Sequence, residues 1–248
     1  MSGHSKWATT KHQKGLTDAK RSRVFTKIQR EIHVAVKTGD ANPDFNPRLR
    51  NAIILAKSEN MPKDKIEAAI KRASSPVGGE NYEEIRYEGY APGSVALIVE
   101  VLTENKNRTV SNIRSYFTKH GGSLGETGSV SYMFDRLGIM GYDGKRISEG
   151  EMLELAIEAG ASDVESSSEW HSVFIDARDF VSVRDRIISK LGEPDTAKIT
   201  WIPKNTIVID NLENASRISQ LVERLEDDDD VQEVVGNFEI SDNILGKE

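Results

Sequence analysis

Four basic residues near the amino end of the chain recur at the spacing of a helix face. They are Lys20, Arg23, Lys27 and Arg30, and at about 100° per residue they fall within an arc of about 80°. Basic side chains presented together gain affinity for a polyanion because they displace the counterions that surround phosphates. The spacing therefore predicts a nucleic-acid-binding face, although a charge run on a helix is more often an ordinary solvated surface.

The residues before these four cations are also polar and basic, and residues 1–15 are called the arm. Residues 1–30 hold eight basic residues and one acid, Asp18, for a net charge of +7, whereas the whole chain carries −7. Trp7 could stack on an unpaired base or pack within its own domain. Arg48 lies early in a predicted helix, where a cation opposes the helix dipole, so a binding role is favoured for it. The predicted nucleic-acid-binding residues are Lys6, Trp7, Lys11, Lys14, Lys20, Arg21, Arg23, Lys27, Arg30 and Arg48.

A second candidate is the glycine-rich segment from Gly121 to Ser129, which holds four glycines in nine residues. Glycines allow backbone N–H groups to approach a phosphate, but neither the GK[ST] nor the GxGxxG order of a nucleotide site is present. The segment is equally consistent with a mobile loop that leads into a strand and with a probe that contacts a crowded partner. The predicted partner-contact residues are Gly122, Leu124, Gly125, Glu126, Thr127 and Gly128.

Catalytic and metal-binding motifs are absent from the sequence. Its five histidines form no HExxH motif and no close pair, and it has no GxSxG elbow. The chain has no cysteine, which excludes disulfides and thiolate metal sites. The acidic run Glu226–Asp230 lacks the ligand spacing of an EF-hand and is interpreted as a solvated loop. We therefore expect no catalytic residue, no metal site and no cofactor.

The four cations share one face only if their segment is helical, and the surrounding pattern predicts a helix. Apolar residues from Phe25 to Ala35 recur at helical spacing on the side opposite the cations. Asn46-Pro47 and Pro62 begin two more amphipathic helices, and the segment 74–79, rich in serine and glycine, is typical of a linker. These features predict a compact three-helix domain over residues 1–79.

After residue 80 the pattern changes to short strands that alternate with helices. Residues 136–204 follow the split β-α-β order of a ferredoxin-like domain. The unit that starts at residue 80 is incomplete at Phe134, and the strand, helix and strand after residue 205 could complete it. We therefore predict an α+β fold in which the three-helix domain precedes two ferredoxin-like-type α/β domains, 80–135 plus 205–248 and the inserted 136–204. Two of the predicted strands are Ser129–Phe134 and Val231–Ile240.

Hydropathy gives no indication of a membrane protein. No apolar run approaches the ~20 residues of a membrane span, and the amino end has no apolar signal region. A basic, acid-poor start could also belong to a transit peptide, but the helix and its caps favour a folded segment. The expected compartment is the cytoplasm, with no membrane partner.

Short motifs with a recognisable combination of residues occur over nearly the full length of the chain. They are Gly3-His4-Ser5-Lys6-Trp7, Asp18-Ala19-Lys20-Arg21, Phe25-Thr26-Lys27, Asn46-Pro47-Arg48-Leu49-Arg50, Asn60-Met61-Pro62-Lys63-Asp64, Tyr87-Glu88-Gly89-Tyr90, Pro92-Gly93, Asn107-Arg108-Thr109 and Leu124-Gly125-Glu126-Thr127-Gly128-Ser129-Val130. Together they resemble the YebC/PmpR family, and the mitochondrial translational activator of cytochrome c oxidase subunit I is similar too. The sequence departs from the usual pattern at Ala8-Thr9-Thr10 and at Ser22-Arg23, where charge is kept.

The resemblance implies a helical N-terminal domain and two α/β domains, the third inserted into the second, without catalytic residues. Family members are described either as DNA-binding transcriptional regulators or as ribosome-associated translation factors. The resulting hypothesis is a non-enzymatic nucleic-acid-binding regulator of gene expression, first a DNA-binding transcriptional regulator and alternatively a translation factor. Its expected partner is duplex DNA or ribosomal RNA, with the ribosome as a further candidate and no small-molecule substrate. An enzyme with a phosphate-cradling loop and a protein–protein adaptor remain alternatives.

Overall fold

The computed structural model describes residues 18–75 and 81–245. The chain forms two compact units, one containing the described residues up to Phe134 together with those from Pro203 onward, and the other Asp135–Ile202. The helical module and the α/β module that follows it, which the sequence pattern separates at residue 79, group together in the first unit. Within the described ranges, no helix combines the length and the apolar character that a membrane crossing requires.

The amino-terminal module consists of three helices: α1 (Asp18–Thr38), α2 (Pro47–Ser58) and α3 (Lys63–Ser74). Ile32 of α1 and Leu49 of α2 are fully buried in their common core, which also contains Ile66 of α3. Asn46 caps α2 because its side-chain oxygen accepts the N–H of Leu49 at 3.0 Å. The apolar seams predicted from the sequence are therefore the faces that pack this module.

The rest of the chain alternates strands and helices in the order β1 (Glu83–Ala91), β2 (Val95–Thr103), α4 (Lys106–Lys119), β3 (Ser123–Leu124), β4 (Phe134–Asp143), α5 (Glu149–Ala159), β5 (Asp163–Ser166), β6 (Trp170–Asp176), α6 (Phe180–Leu191), β7 (Thr196–Pro203), β8 (Ile207–Ile209), α7 (Leu212–Glu226), β9 (Val231–Gly236), β10 (Phe238–Ile240) and α8 (Asp242–Leu245). The predicted α+β fold class is confirmed.

The α/β part of the first unit is assembled from both sides of the inserted unit. Its four-stranded sheet has the order β3-β1-β2-β9, with antiparallel neighbours, so a carboxyl-terminal strand completes a sheet begun before residue 134. Leu97 and Val99 of β2 pack with Phe117 of α4 and Leu221 of α7 in one core. The glycine-rich segment follows α4, and the acidic run Glu226–Asp230 begins at the last residue of α7.

The second unit has the strand order β5-β6-β4-β7, the order of a ferredoxin-like β-α-β-β-α-β sheet. Its central strands, β4 and β6, pair antiparallel. Met140 and Tyr142 of β4 pack with Met152 of α5 and Ile187 of α6 in its core. Helix α5 begins with the capping box formed by Ser148 and its partner three residues later.

Two predicted strands are wrong in part. Residues 131–133 form a 3-10 turn, and β4 starts only at Phe134. The backbone N–H groups of Val130 and Ser131 donate to the Glu88 carboxylate, so they cannot bond to a neighbouring strand.

The predicted strand from residue 231 to residue 240 is divided at Asn237. Its first part, β9, pairs with β2, whereas β10 pairs parallel with β8 in a separate two-stranded sheet. The Asn237 side chain accepts the N–H of Ala96 at 2.7 Å, and its main-chain carbonyl accepts the N–H of Ile207 at 2.8 Å. These contacts to two different segments explain why the pairing changes at this residue.

Candidate nucleic-acid interface

The cation row, defined as Arg23, Lys27 and Arg30, lies on one side of α1, and its members are partly buried. Its members are separated by four and three residues, so adjacent members lie about one helical turn apart. Ile28 and Ile32 project to the other side and are buried at 2% and 0% exposure. Burial of that apolar face fixes the rotation of the helix and thereby leaves the three cations on one side.

The cation row contacts the acidic loop, defined as Glu226–Asp230, which begins at the last residue of α7. Arg23 donates to the carboxylate of Asp227. Lys27 Nζ donates to the main-chain carbonyl of Glu226 at 2.6 Å. The acceptors are thus a carboxylate and a helix C-terminal carbonyl, which carries partial negative charge because it lies at the negative end of the helix dipole.

The third cation of the row makes the most buried of these contacts. Arg30 Nη1 donates to the Asp230 carboxylate at 2.8 Å and also to the main-chain carbonyl of Asp229. The Arg30 side chain is 15% exposed and that of Asp230 is 5% exposed. Tyr82 lies beside this pair, with its ring centroid 5.4 Å from the Arg30 guanidinium carbon. The contact between row and loop therefore runs from a partly exposed end at Arg23 to a buried end at Arg30.

Asp230 anchors the acidic loop in the α/β core. Its Oδ2 accepts the hydroxyl of Thr109 at 2.7 Å, that of Thr103 at 3.2 Å and Arg108 Nη2 at 2.9 Å. Burial alone would raise the pKa of the Asp230 carboxyl, but the bonds from Thr109 and Arg108 and the charge of Arg30 lower it overall. Asp230 is therefore ionised, and it joins α1 to β2 and α4.

Two further contacts fasten the loop to the same core. The Tyr116 hydroxyl donates to Asp228 at 2.9 Å, and the N–H of Leu102 donates to the Asp230 carbonyl at 2.8 Å. Burial, followed by the bond to Asp228, raises the pKa of Tyr116 to about 12. The Arg224 guanidinium stacks on the Tyr116 ring at 4.4 Å. The interpretation of this acidic run as a solvated loop is therefore wrong, because its residues bond to the core and Asp230 is 4% exposed.

Arg48 lies in an ion-pair network at the start of α2. It donates to both carboxylate oxygens of Glu31, at 2.6 and 3.0 Å, and also to Glu84. Burial alone would lower the pKa of Arg48, but the hydrogen bonds and charges of Glu31 and Glu84 raise it. The guanidinium therefore links α2 to α1 and to β1, and its predicted contact with nucleic acid stays a prediction.

The remaining predicted cations are placed as follows. Arg21 is exposed on α1. The structure brings Arg23, Lys27 and Arg30 together on one side of that helix. The predicted residues that lie outside the described part of the structure, in whole or by their side chain, are Lys6, Trp7, Lys11, Lys14 and Lys20.

The glycine-rich segment is held by a second buried carboxylate, that of Glu88 on β1. The N–H groups of Val130 and Ser131 each donate to Glu88 Oε2 at 2.8 Å, and Arg86 Nε donates to Oε1 at 3.2 Å. The main-chain carbonyl of Glu88 accepts the N–H of Gly125 at 2.8 Å. Glu88 is 1% exposed, so the segment closes over it as an ordered loop.

The electrostatics of Glu88 agree with that geometry. Burial alone would raise the pKa of this carboxyl, but the backbone N–H groups of Val130, Gly128 and Ser131, followed by the charge of Arg86, lower it overall. A carboxylate that accepts several backbone N–H bonds is stabilised in its charged form. Glu88 is therefore an anionic anchor for the loop.

The six predicted partner-contact residues divide into two groups. Gly122 and Leu124 are half-buried, and a Cβ at Gly122 would lie 2.5 Å from the Tyr90 carbonyl oxygen. The other four are exposed, and Gly128 has a φ of +91° with nothing within 4 Å of a Cβ built on it. The exposed part of the loop thus consists of Gly125, Glu126, Thr127 and Gly128.

Across residues 18–75 and 81–245, no group of three or more histidine, aspartate or glutamate side chains is arranged to hold a metal ion. At the acidic loop, the carboxylates of Asp227 and Asp230 face cations and hydroxyls of the protein itself.

Two family profiles match the chain. One, described as the TACO1/YebC protein N-terminal domain, matches residues 5–76, and the other, described as the TACO1/YebC second and third domain, matches residues 82–238. The chain belongs to the TACO1/YebC family. The family identified from short motifs in the sequence is therefore confirmed.

Relatives of this TACO1/YebC protein match it over nearly their whole length. A probable transcriptional regulatory protein of Rickettsia bellii is 51% identical over 244 residues, which are 98% of this chain and 95% of the relative. One of the same name from Rickettsia rickettsii is 51% identical over 245 residues, covering 98% and 97%. The crystal structure of a conserved hypothetical protein from Aquifex aeolicus is similar with a TM-score of 0.85 and 48% identity, covering 97% of this chain and 99% of that one.

Two residues that organise this TACO1/YebC protein are not among the predicted site residues. Asp230 could not be distinguished from its acidic neighbours by composition, and its position next to the apolar start of β9 is the single local signal of burial. Glu88 is one of three acids in β1, and the local sequence does not distinguish it from Glu83 and Glu84. The N–H groups that bind Glu88 and the side chains that bind Asp230 come from distant segments, whereas Arg86 is a neighbour of Glu88 on β1.

Proposed function

We propose that this protein is a non-enzymatic regulator of gene expression that acts in the cytoplasm and binds duplex DNA through its N-terminal arm and the cation row. The observation that carries this proposal is that Arg23, Lys27 and Arg30 lie on one side of α1, each bonded to oxygen acceptors. Guanidinium and ammonium groups in a row on one side of a helix are suited to bind a series of phosphate oxygens.

The dimensions of the row suit a nucleic-acid strand. Seven residues separate Arg23 from Arg30, which corresponds to about 10 Å along a helix at 1.5 Å per residue. Duplex DNA offers one phosphate per about 3.4 Å of each strand, so the row could lie along about three phosphates. The arm adds Lys6, Lys11 and Lys14, which precede the same helix in the sequence.

The names of the relatives support the regulatory part of the proposal. The relatives from Rickettsia bellii and Rickettsia rickettsii are both named probable transcriptional regulatory proteins, and each matches 98% of this chain. That naming favours duplex DNA as the first partner to test. It also favours a regulator over an enzyme.

The arm offers the first test, because its three lysines should contact phosphates in addition to those that the cation row contacts. A variant with Lys6, Lys11 and Lys14 changed to glutamine should bind a fluorescein-labelled 30-base-pair duplex more weakly in an anisotropy titration. Each lost phosphate contact lowers the slope of log affinity against log salt by about 0.9, so three should flatten it by about 2.7.

The matched control changes Lys57, Lys106 and Lys119 to glutamine, which removes the same charge from exposed positions on α2 and α4. This control should keep the wild-type salt slope. Equal affinity and slope in both variants would contradict the proposal. Tighter binding of a structured RNA of equal length would contradict duplex DNA as the target and favour a translation factor.

A further inference from the structure

We infer that the acidic loop competes with nucleic acid for the cation row, so that the contact between Glu226–Asp230 and α1 is a closed, self-inhibited state of the interface. This inference rests on the proposed function, because it assigns a regulatory device to the same cations. It explains why a row suited to phosphates is already bonded to oxygen atoms of its own chain.

The acidic loop presents the same kind of hydrogen-bond acceptors as a series of phosphates. It carries five acidic residues in succession, and it offers the row two carboxylates and two main-chain carbonyl oxygens. All of these are oxygen acceptors that bind guanidinium and ammonium groups in the way that phosphate oxygens do. A phosphate that approached the same N–H groups would have to displace them.

The loop is fixed on the α/β side of the contact. Asp230 is bonded to Thr109 and Arg108, and Asp228 accepts the Tyr116 hydroxyl. These bonds do not involve α1, so the loop can keep its conformation when the helix is displaced from it. The device is therefore a preformed acidic surface against which α1 closes.

The exposure of the contacts indicates where opening starts. The Arg23–Asp227 pair is partly exposed, at 39% and 30%, whereas the Arg30–Asp230 pair is nearly buried. Exposed ion pairs are weak and are screened by salt. Arg23 is also the member of the row nearest to the arm along the chain, so a strand held by the arm would reach it first.

The test compares two substitutions that remove the same charge from the same loop. Asp227→Asn removes the partner of Arg23, whereas Asp229→Asn changes an exposed carboxylate that makes no described bond to α1, since Asp229 contacts Arg30 through its main-chain carbonyl. Asp227→Asn should bind the labelled duplex about two- to fivefold more tightly than wild type. Asp229→Asn should change the affinity by less than about 1.5-fold.

A second measurement follows the loop directly. The chain has no cysteine, so Ser22→Cys with Asp229→Cys allows a donor and an acceptor dye to be attached at two exposed positions. Saturating duplex should lower the energy transfer between them. Unchanged transfer at saturation would show that the loop stays on the row, which overturns the inference.

The remaining outcomes separate the two proposals. If wild type binds the duplex and Asp227→Asn and Asp229→Asn bind it equally, the contact stabilises the fold without competing, and the inference is wrong while the proposed function stands. If the arm variant and its lysine control bind alike, the proposed function is wrong, and the inference fails with it.

Discussion

Two loops of this TACO1/YebC protein are each held by a buried carboxylate, but the groups that the carboxylates bind are different. Asp230 binds side chains, namely two guanidinium groups and two hydroxyls. Glu88 binds mainly backbone N–H groups of the loop that it fixes. The first arrangement links separate segments through charge, and the second determines the local backbone conformation.

This difference indicates which loop can exchange its partner. The bonds between the cation row and the acidic loop join residues 199 to 204 positions apart in the chain, and another anion could replace either side. Glu88 on β1 accepts the N–H groups of Val130 and Ser131, which belong to the glycine-rich loop or adjoin it, and loss of these bonds would change the conformation of the loop itself. The acidic loop can thus compete with another anion for the cation row, whereas the glycine-rich loop holds its exposed residues in one fixed conformation.

Substitution of Asp230 should have the largest effect on stability. Asp230→Ala leaves Arg30 and Arg108 without their shared carboxylate and removes the acceptor of two buried hydroxyls. We expect the free energy of unfolding in urea to fall by about 3 kcal/mol. Asp229→Ala, on the exposed side of the loop, should change it by less than about 0.5 kcal/mol. Equal effects of the two variants would contradict the role of Asp230 as the anchor.

Substitution of Glu88 should have a smaller effect that is concentrated in the glycine-rich loop. Glu88→Gln keeps the shape but loses the charge that accepts the N–H groups of Val130 and Ser131, which should cost about 1–3 kcal/mol. Hydrogen exchange at these two amides should accelerate. Glu126→Gln, in the exposed part of the same loop, is the control and should leave both amides protected.

The pH dependence of stability should identify the same carboxylate. The pKa of Glu88 is lowered below the usual 4.5 in the folded state, so its contribution is fully present above about pH 4.5 and is lost as the pH falls through the folded pKa. The difference in unfolding free energy between wild type and Glu88→Gln should therefore shrink as the pH falls below about 4.5 and through the folded pKa of Glu88. A difference that stays constant over this range would show that the charge of Glu88 does not hold the loop.

Substitutions at two glycines should distinguish the packed part of the glycine-rich loop from its exposed part. A methyl group at Gly122 would lie 2.5 Å from the Tyr90 carbonyl oxygen, so Gly122→Ala should destabilise the protein by about 1–3 kcal/mol. Gly128→Ala meets no atom within 4 Å, and its positive φ alone should cost about 1 kcal/mol. Thermal unfolding of both variants measures the difference in stability. A larger loss of stability in Gly128→Ala than in Gly122→Ala would contradict the assignment of Gly122 to the packed part of the loop.

Local spacing was sufficient to predict the three amino-terminal helices. The periodicity of apolar residues from Phe25 to Ala35 indicated α1, and Asn46-Pro47 and Pro62 indicated the starts of α2 and α3, because burial of one helix face imposes a regular spacing on its apolar residues. The same spacing placed Arg23, Lys27 and Arg30 on one side of α1. The motifs also identified the family.

What those cations contact follows only from the folded chain. An acidic run has no periodicity that marks its burial, and the local sequence of α1 contains no sign of an acceptor about 200 positions away. The strand predicted at Ser129–Phe134 was likewise wrong in part because a carboxylate on β1 takes the N–H groups that a strand would need. Apolar burial follows local spacing, whereas the pairing of charged and polar groups depends on which segments the folded chain brings together.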